Sequence, residues 1–375
     1  MKTKSYYLGL VILGFLTWSC TNKDELSSSQ GSLKTSMNAG AENLTTAITA
    51  ITNSTGYQVL TTSSSSSAPS LIKSAVSSSN SGSIFSTPLD TITLSSIAGI
   101  YDYKASKYKK WRPELFNFFS KTGTSTDFIV RLPASKVKNP RSLLSYTPSD
   151  TLLVNNYVID VSQYNYDFGR LLWHYNQAST ITIDGVTAGV LSIQSSRNKT
   201  NGYRFKSDFA FANGYDTKII YSTGDTILSD YSISKGGTIL FDEKFTAIKN
   251  DTASRHREKE YSLTIGNVVI VRNPTHKDSG LDSAKVYVGG ILQTKATVEI
   301  VDNTSKSDTT EFSIIGHNRD LKITFDDGTT STVSQLLGST ITDIRALFVS
   351  LRQVYFATNV VDWVAWDIFM NKKNL

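Results

Sequence analysis

The stretch Phe205-Lys206-Ser207-Asp208-Phe209-Ala210-Phe211, followed by Asn213-Gly214, decides the fold class. Phe205, Phe209 and Phe211 share one face of a period-two repeat while Lys206 and Asp208 share the other, the pattern of a strand buried on one side. Asn-Gly then supplies the positive φ that a tight hairpin turn needs. The pattern recurs in both directions. Upstream, Ile181 and Ile183, then Leu191 and Ile193, alternate with Thr, Ser and Gln. Downstream come Ile219 and Tyr221, Ile239 and Phe241, Val286 and Val288, Val298 and Ile300, and Ile323 and Phe325. Turn clusters separate them at Asn201-Gly202, Gly224-Asp225, Gly236-Gly237, Gly289-Gly290 and Asp327-Gly328. Short strands, close turns and one polar face predict antiparallel pairing; without long helical crossovers a parallel α/β sheet is disfavoured. The expected fold is mainly β, with an antiparallel sheet or sheets, sandwich-like or curved.

Helical periods stand at the two ends. Leu33, Met37, Leu44, Ile48 and Ile51 predict a short amphipathic N-terminal helix. Ile341, Ile344, Leu347, Phe348, Leu351 and Val354, then Val361, Val364 and Ile368, predict one long or two shorter helices packed on the sheet. Arg345, Arg352, Asp362 and Asp367 interrupt that run, so it does not read as membrane-spanning. Ser and Thr dominate residues 61–82, a composition too polar to offset its ordering entropy, and predict a flexible linker. The chain therefore divides into a signal segment (1–19), a tether with helix and linker (20–83), a β domain (84–338) and a helical segment (339–375).

The 375 residues carry 38 Lys and Arg against 32 Asp and Glu. A single cysteine excludes a disulfide framework and any cysteine-based metal site. His174, His256, His276 and His317 are too far apart for local metal-ligand spacing, and no Walker loop, GxSxG elbow or GxGxxG occurs. No cofactor is expected. Asp326-Asp327-Gly328 reads as a turn after a strand. The alternating charges of Arg255-His256-Arg257-Glu258-Lys259-Glu260 suit a strand edge that discourages aggregation.

At the N-terminus, Lys2 and Lys4 precede an apolar core from Tyr6 to Leu16, about half the length needed to cross a bilayer. The core ends in Ser19-Cys20, which resembles a bacterial lipobox, although Thr17 and Trp18 depart from its preferred residues. That resemblance implies lipidation at Cys20. The following Lys23-Asp24-Glu25 resembles the lipoprotein export signal of the Bacteroidota, which implies display on the outer face of the outer membrane. Asp followed by Thr or Ser and a small or aliphatic residue resembles the O-glycosylation sequon of envelope proteins of that group. It marks Thr91, Thr151, Thr226, Thr252, Ser283 and Thr309.

One charge feature touches function. Between Lys104 and Arg141 ten basic residues face only Glu114 and Asp127, and Lys104, Lys107, Lys109, Lys110 and Arg112 are interleaved with Tyr103, Tyr108 and Trp111. Such a block suits an anionic partner: an acidic glycan, lipopolysaccharide or a protein. Nucleic acid fits the charge but not an envelope location. The leading expectation is a surface-displayed, non-enzymatic envelope lipoprotein. A carrier or sensor holding a lipid against a curved sheet is the alternative, and a hydrolase whose site converges from distant residues is the third.

Overall fold

The computed structural model describes residues 32–57, 90–104, 118–137, 153–169, 172–198, 202–249, 257–272, 284–302, 319–352 and 355–373. The chain is mainly β, and most strands belong to one sheet. Its body is a meander in which each strand pairs with the next: β5 (Tyr157–Phe168), β6 (Trp173–Ile183), β7 (Val186–Asn198), β8 (Gly202–Phe211), β9 (Tyr215–Ser222), β10 (Thr226–Lys235), β11 (Thr238–Lys249), β12 (Arg257–Ile265), β13 (Val268–Arg272), β14 (Ala284–Val288) and β15 (Ile291–Leu292). The expected turn sites at Asn213-Gly214, Gly224-Asp225, Gly236-Gly237 and Gly289-Gly290 all join consecutive strands of this run. Asp184-Gly185 joins β6 to β7 with φ of 50° and 77°, and Asp184 is the one non-glycine residue of positive φ among those described. That pair of angles closes a two-residue hairpin whose twist matches its strands.

Beyond β5 the order changes. β1 (Asp90–Thr93) pairs with the far end of β5, while β4 (Phe128–Leu132) pairs with its start. β2 (Gly99–Tyr103) and β3 (Phe119–Gly123) form the edge, and β2 runs parallel to β4. This pair departs from the antiparallel rule for a simple reason. Only residues 124–127 separate β3 from β4, so β4 must run opposite to β3 and therefore along β2. A second sheet holds β16 (Thr297–Asp302), β17 (Arg319–Thr324) and β18 (Thr330–Thr332). At its β17–β18 turn Asp327 accepts from the Thr329 amide at 2.9 Å and from Lys34 at 3.2 Å. The bonds from Thr329, then Lys34, hold its carboxyl down to about 2.

One face of the large sheet is buried. A cross-strand row runs Ser179, Leu191, Phe209, Thr217, Ile233, Phe241, Ile265, Val268 and Val288 across β6 to β14, and every member is buried. Helices seal this face. α1 (Leu33–Thr52) lies against β11, β12 and β13. α2 (Leu94–Ile97) and α3 (Ala134–Val137) are single turns, and α4 (Val333–Leu337) leads into α5 (Thr340–Arg352) and α6 (Tyr355–Lys373). The C-terminal period thus resolves into two helices. Phe348 of α5 packs 5.3 Å from the Tyr231 ring, and Trp366 of α6 packs 4.9 Å from Phe168. Ile239 and Tyr221, expected on the buried face, are exposed at strand ends.

α1 is a core element. Leu33, Met37, Leu44, Ala47 and Ile51 are buried, and Ser32 caps its start by accepting from the Thr35 amide. The Ser-rich segment lies outside the described residues, and it joins two parts of the body, α1 and β1. Residues 257–260 of the charged run pair with β11 but extend past the end of β13, which stops opposite Tyr261. They form a local edge among the described residues.

The approach of α1 to the sheet depends on Gly40. A Cβ there would stand 2.9 Å from the carbonyl oxygen of Ile265 and 3.1 Å from its Cγ2. Helix propensity alone favours Ala over Gly by about 1 kcal/mol, so the substitution sets two effects against each other. Backbone cannot step aside cheaply, and the clash should win. Gly40→Ala is expected to lower the melting temperature, with the exposed Asn38→Ala as the propensity control. A Gly40→Ala protein more stable than wild type would show that the close approach does not exist.

Candidate functional site

The solvent face of the sheet is polar, and across β6 to β10 it forms a groove of about 540 Å³. Register fixes its floor. Its first row is His174, Ser196, Arg204, Ser222 and Leu228, each directly opposite the next on adjacent strands. The second places Gln194, Lys206 and Ile220 side by side. Period two puts these residues opposite in direction to the buried Tyr175, Ser195 and Phe205. The two rows give the groove two permanent cations, an imidazole, two hydroxyls and an apolar patch from Ile220 and Leu228, and Asp225 and Thr226 add a carboxylate and a further hydroxyl to its lining.

Its cations are not equivalent. Lys206 is bound to Asp208 at 2.7 Å. His174 stands 3.7 Å from Asp167 with its side chain 60% exposed. Among the described residues no hydrogen bond or ion pair engages the Arg204 guanidinium. Ser222 donates its hydroxyl proton to the Thr226 carbonyl at 3.2 Å and keeps lone pairs for an incoming donor. Farther along this face, burial pushes the Asp242 carboxyl up to about 6, helped by its neighbour Asp230.

The residues singled out from the sequence fall unevenly. Cys20, Lys23, Asp24, Glu25, Lys107, Lys109, Lys110, Arg112, Thr151, Thr252, Ser283 and Thr309 lie outside the described residues. Lys104 is exposed at the end of β2, where its amide donates to the Phe118 carbonyl at 2.7 Å. Thr91 is exposed on β1 and its hydroxyl donates to Asp167 at 2.8 Å. Thr226 is exposed and lines the groove. Arg204 drew no attention in the sequence, because only register aligns it with Ser196 and Ser222.

The buried face holds its own polar cluster. Asp362 of α6 sits over β5 and β6, and its Oδ1 is 3.1 Å from the Tyr164 hydroxyl and 2.9 Å from that of Tyr175. Tyr175 also bonds Gln177, whose amide nitrogen donates to Ser179 at 3.3 Å. Tyr175 has one proton and cannot donate to both Asp362 and the Gln177 carbonyl oxygen. A protonated Asp362 resolves the conflict: it donates to Tyr175, which donates to Gln177, which donates to Ser179. Burial pushes the Asp362 carboxyl up to about 7, against the lowering effect of the two tyrosine bonds. A second cluster joins α5 to β11 and β12, where Tyr261 donates to Glu243 at 3.2 Å. Burial raises the Glu243 carboxyl well above its usual range despite that bond and the nearby Arg345 charge.

Comparison with known proteins finds no family model, no curated protein and no solved structure that matches the chain. Among the described residues no helix is long and apolar enough to cross a membrane. No group of three metal-ligating side chains occurs there either.

The Asp362 cluster makes stability depend on pH. Its carboxyl rises from 3.8 to about 7 on folding, so the folded chain binds more protons than the unfolded chain between those values. That stabilisation is complete below about 4 and is lost as pH climbs through 7. Asp362→Asn removes the charge and keeps a donor for Tyr175, but an amide nitrogen in the place of Oδ1 cannot accept from Tyr164. It is expected to fall below wild type near pH 4 by one hydrogen bond, ~1 kcal/mol, and to gain on it by up to about 4 kcal/mol between pH 4 and pH 8, less where water reaches the half-buried group. Denaturant unfolding at the two pH values reads this directly, and a mutant penalty equal at both would contradict it.

Proposed function

We propose that this chain is a lipid-anchored, surface-displayed protein of the cell envelope that binds an anionic glycan and performs no catalysis. The observation that carries the binding half is the groove on the solvent face of β6 to β10, where Arg204, Lys206 and His174 stand among hydroxyls. Its lining mixes hydroxyl, charged and apolar side chains, which suits a sugar with polar edges and a C–H face, and the unengaged Arg204 guanidinium favours an acid. Support for the envelope location is the resemblance at Cys20 and Lys23-Asp24-Glu25. A lipid carrier would need apolar space for an acyl chain. Here Phe348 occupies the apolar face against Tyr231 and Phe241, and Phe369 packs on Phe168.

Two measurements test the two halves. A palmitate analogue fed to cells should label the wild type and not Cys20→Ala; equal labelling would remove the anchor from the account. The mature chain should bind lipopolysaccharide or polygalacturonate more tightly than neutral dextran, and lose that preference as salt rises, because exposed charges interact over about 8 Å at physiological ionic strength. Binding indifferent to salt and to ligand charge would overturn the anionic reading.

A further inference from the structure

We propose that the groove recognises one acidic group, a phosphate or carboxylate, on a polyhydroxylated glycan, and that Arg204 is the residue that binds it. This rests on the anionic-glycan reading above and names its contact.

Lys206 spends its charge on Asp208, 2.7 Å away, and His174 lies beside Asp167. Asp225 lines the same groove with a negative charge. Arg204 is left as the one permanent cation there whose donors are uncommitted among the described residues. A single uncommitted charge engages one acid per binding register, whatever the charge on the rest of the glycan chain. The guanidinium presents a planar fork that meets a carboxylate or phosphate through two parallel hydrogen bonds.

The flanking residues specify the rest of the ligand. Ser196 and Ser222 stand directly opposite Arg204 on the strands either side. Strands lie about 4.8 Å apart, so the three polar groups span roughly 10 Å, about two sugar rings. Ser222 already donates to the Thr226 carbonyl and so accepts from a sugar hydroxyl. Ile220 and Leu228 offer apolar contact to the C–H face of a ring. A free inorganic anion would use only the arginine; the row of hydroxyls calls for a polyol that carries the acid.

The test uses the full mature chain with four probes: lipopolysaccharide, enzymatically dephosphorylated lipopolysaccharide, polygalacturonate and neutral dextran. Arg204→Glu should weaken binding to the acidic probe at least tenfold at low salt, and Arg204→Lys should recover only part because it loses the fork. Charge reversal at Lys107, Lys109 and Lys110 together should leave that binding within about twofold. Circular dichroism confirms folding, which an exposed arginine on the solvent face should not disturb. Loss of binding on dephosphorylation identifies a phosphate, and retained polygalacturonate binding a carboxylate. If the triple reversal abolishes salt-sensitive binding while Arg204→Glu leaves it intact, the groove assignment fails and the anionic-glycan reading stands. If the wild type shows no preference for acidic probes, both fail.

Discussion

A meander with one apolar face cannot stand in water, and the covering of that face is the constraint on which the rest depends. The row from Ser179 to Val288 crosses nine strands, and its burial requires helices from both ends of the chain. α1 takes the β11–β13 side, α6 the β1–β5 side, and α5 lies against α1. Removing 50 Å² of apolar area from water contributes about 1 kcal/mol, so each large side chain that a helix covers on this face adds to stability. One face is thereby committed to the core. The other is left to solvent, and its period-two partners became the groove.

The strands were legible because burial on one side writes period two into the sequence, as Phe205, Phe209 and Phe211 show. The hairpins were legible where glycine supplied positive φ. What stayed hidden depends on contacts between distant residues. The Asp362–Tyr175 bond joins positions 187 apart, and no local pattern distinguishes Asp362 from a solvated helix residue. The parallel β2–β4 pair follows from a short connection at the sheet edge, not from a strand pattern. α1 read correctly as a helix, but an amphipathic pattern cannot say what the apolar face meets.

Charge was the least legible quantity. The basic run from Lys104 to Arg141 dominates the sequence, yet a run of charge is a statement about composition. Arg204 shows the opposite case, an isolated cation that register sets between Ser196 and Ser222. Lys206, two residues on, has the same formal charge and a different meaning, because Asp208 neutralises it. Partnering, more than number, decides which cation is available to a ligand.

The most direct test of this account is arginine-selective labelling of the full mature chain with phenylglyoxal, read by mass spectrometry with and without saturating acidic glycan. Arg197 is the internal control: it is exposed at the same end of the sheet, but lies over the Trp173 ring in the row that faces opposite to Arg204. The account predicts that ligand protects Arg204 and leaves Arg197 reactive. Unchanged labelling of Arg204, with protection appearing at Arg112 instead, would contradict it.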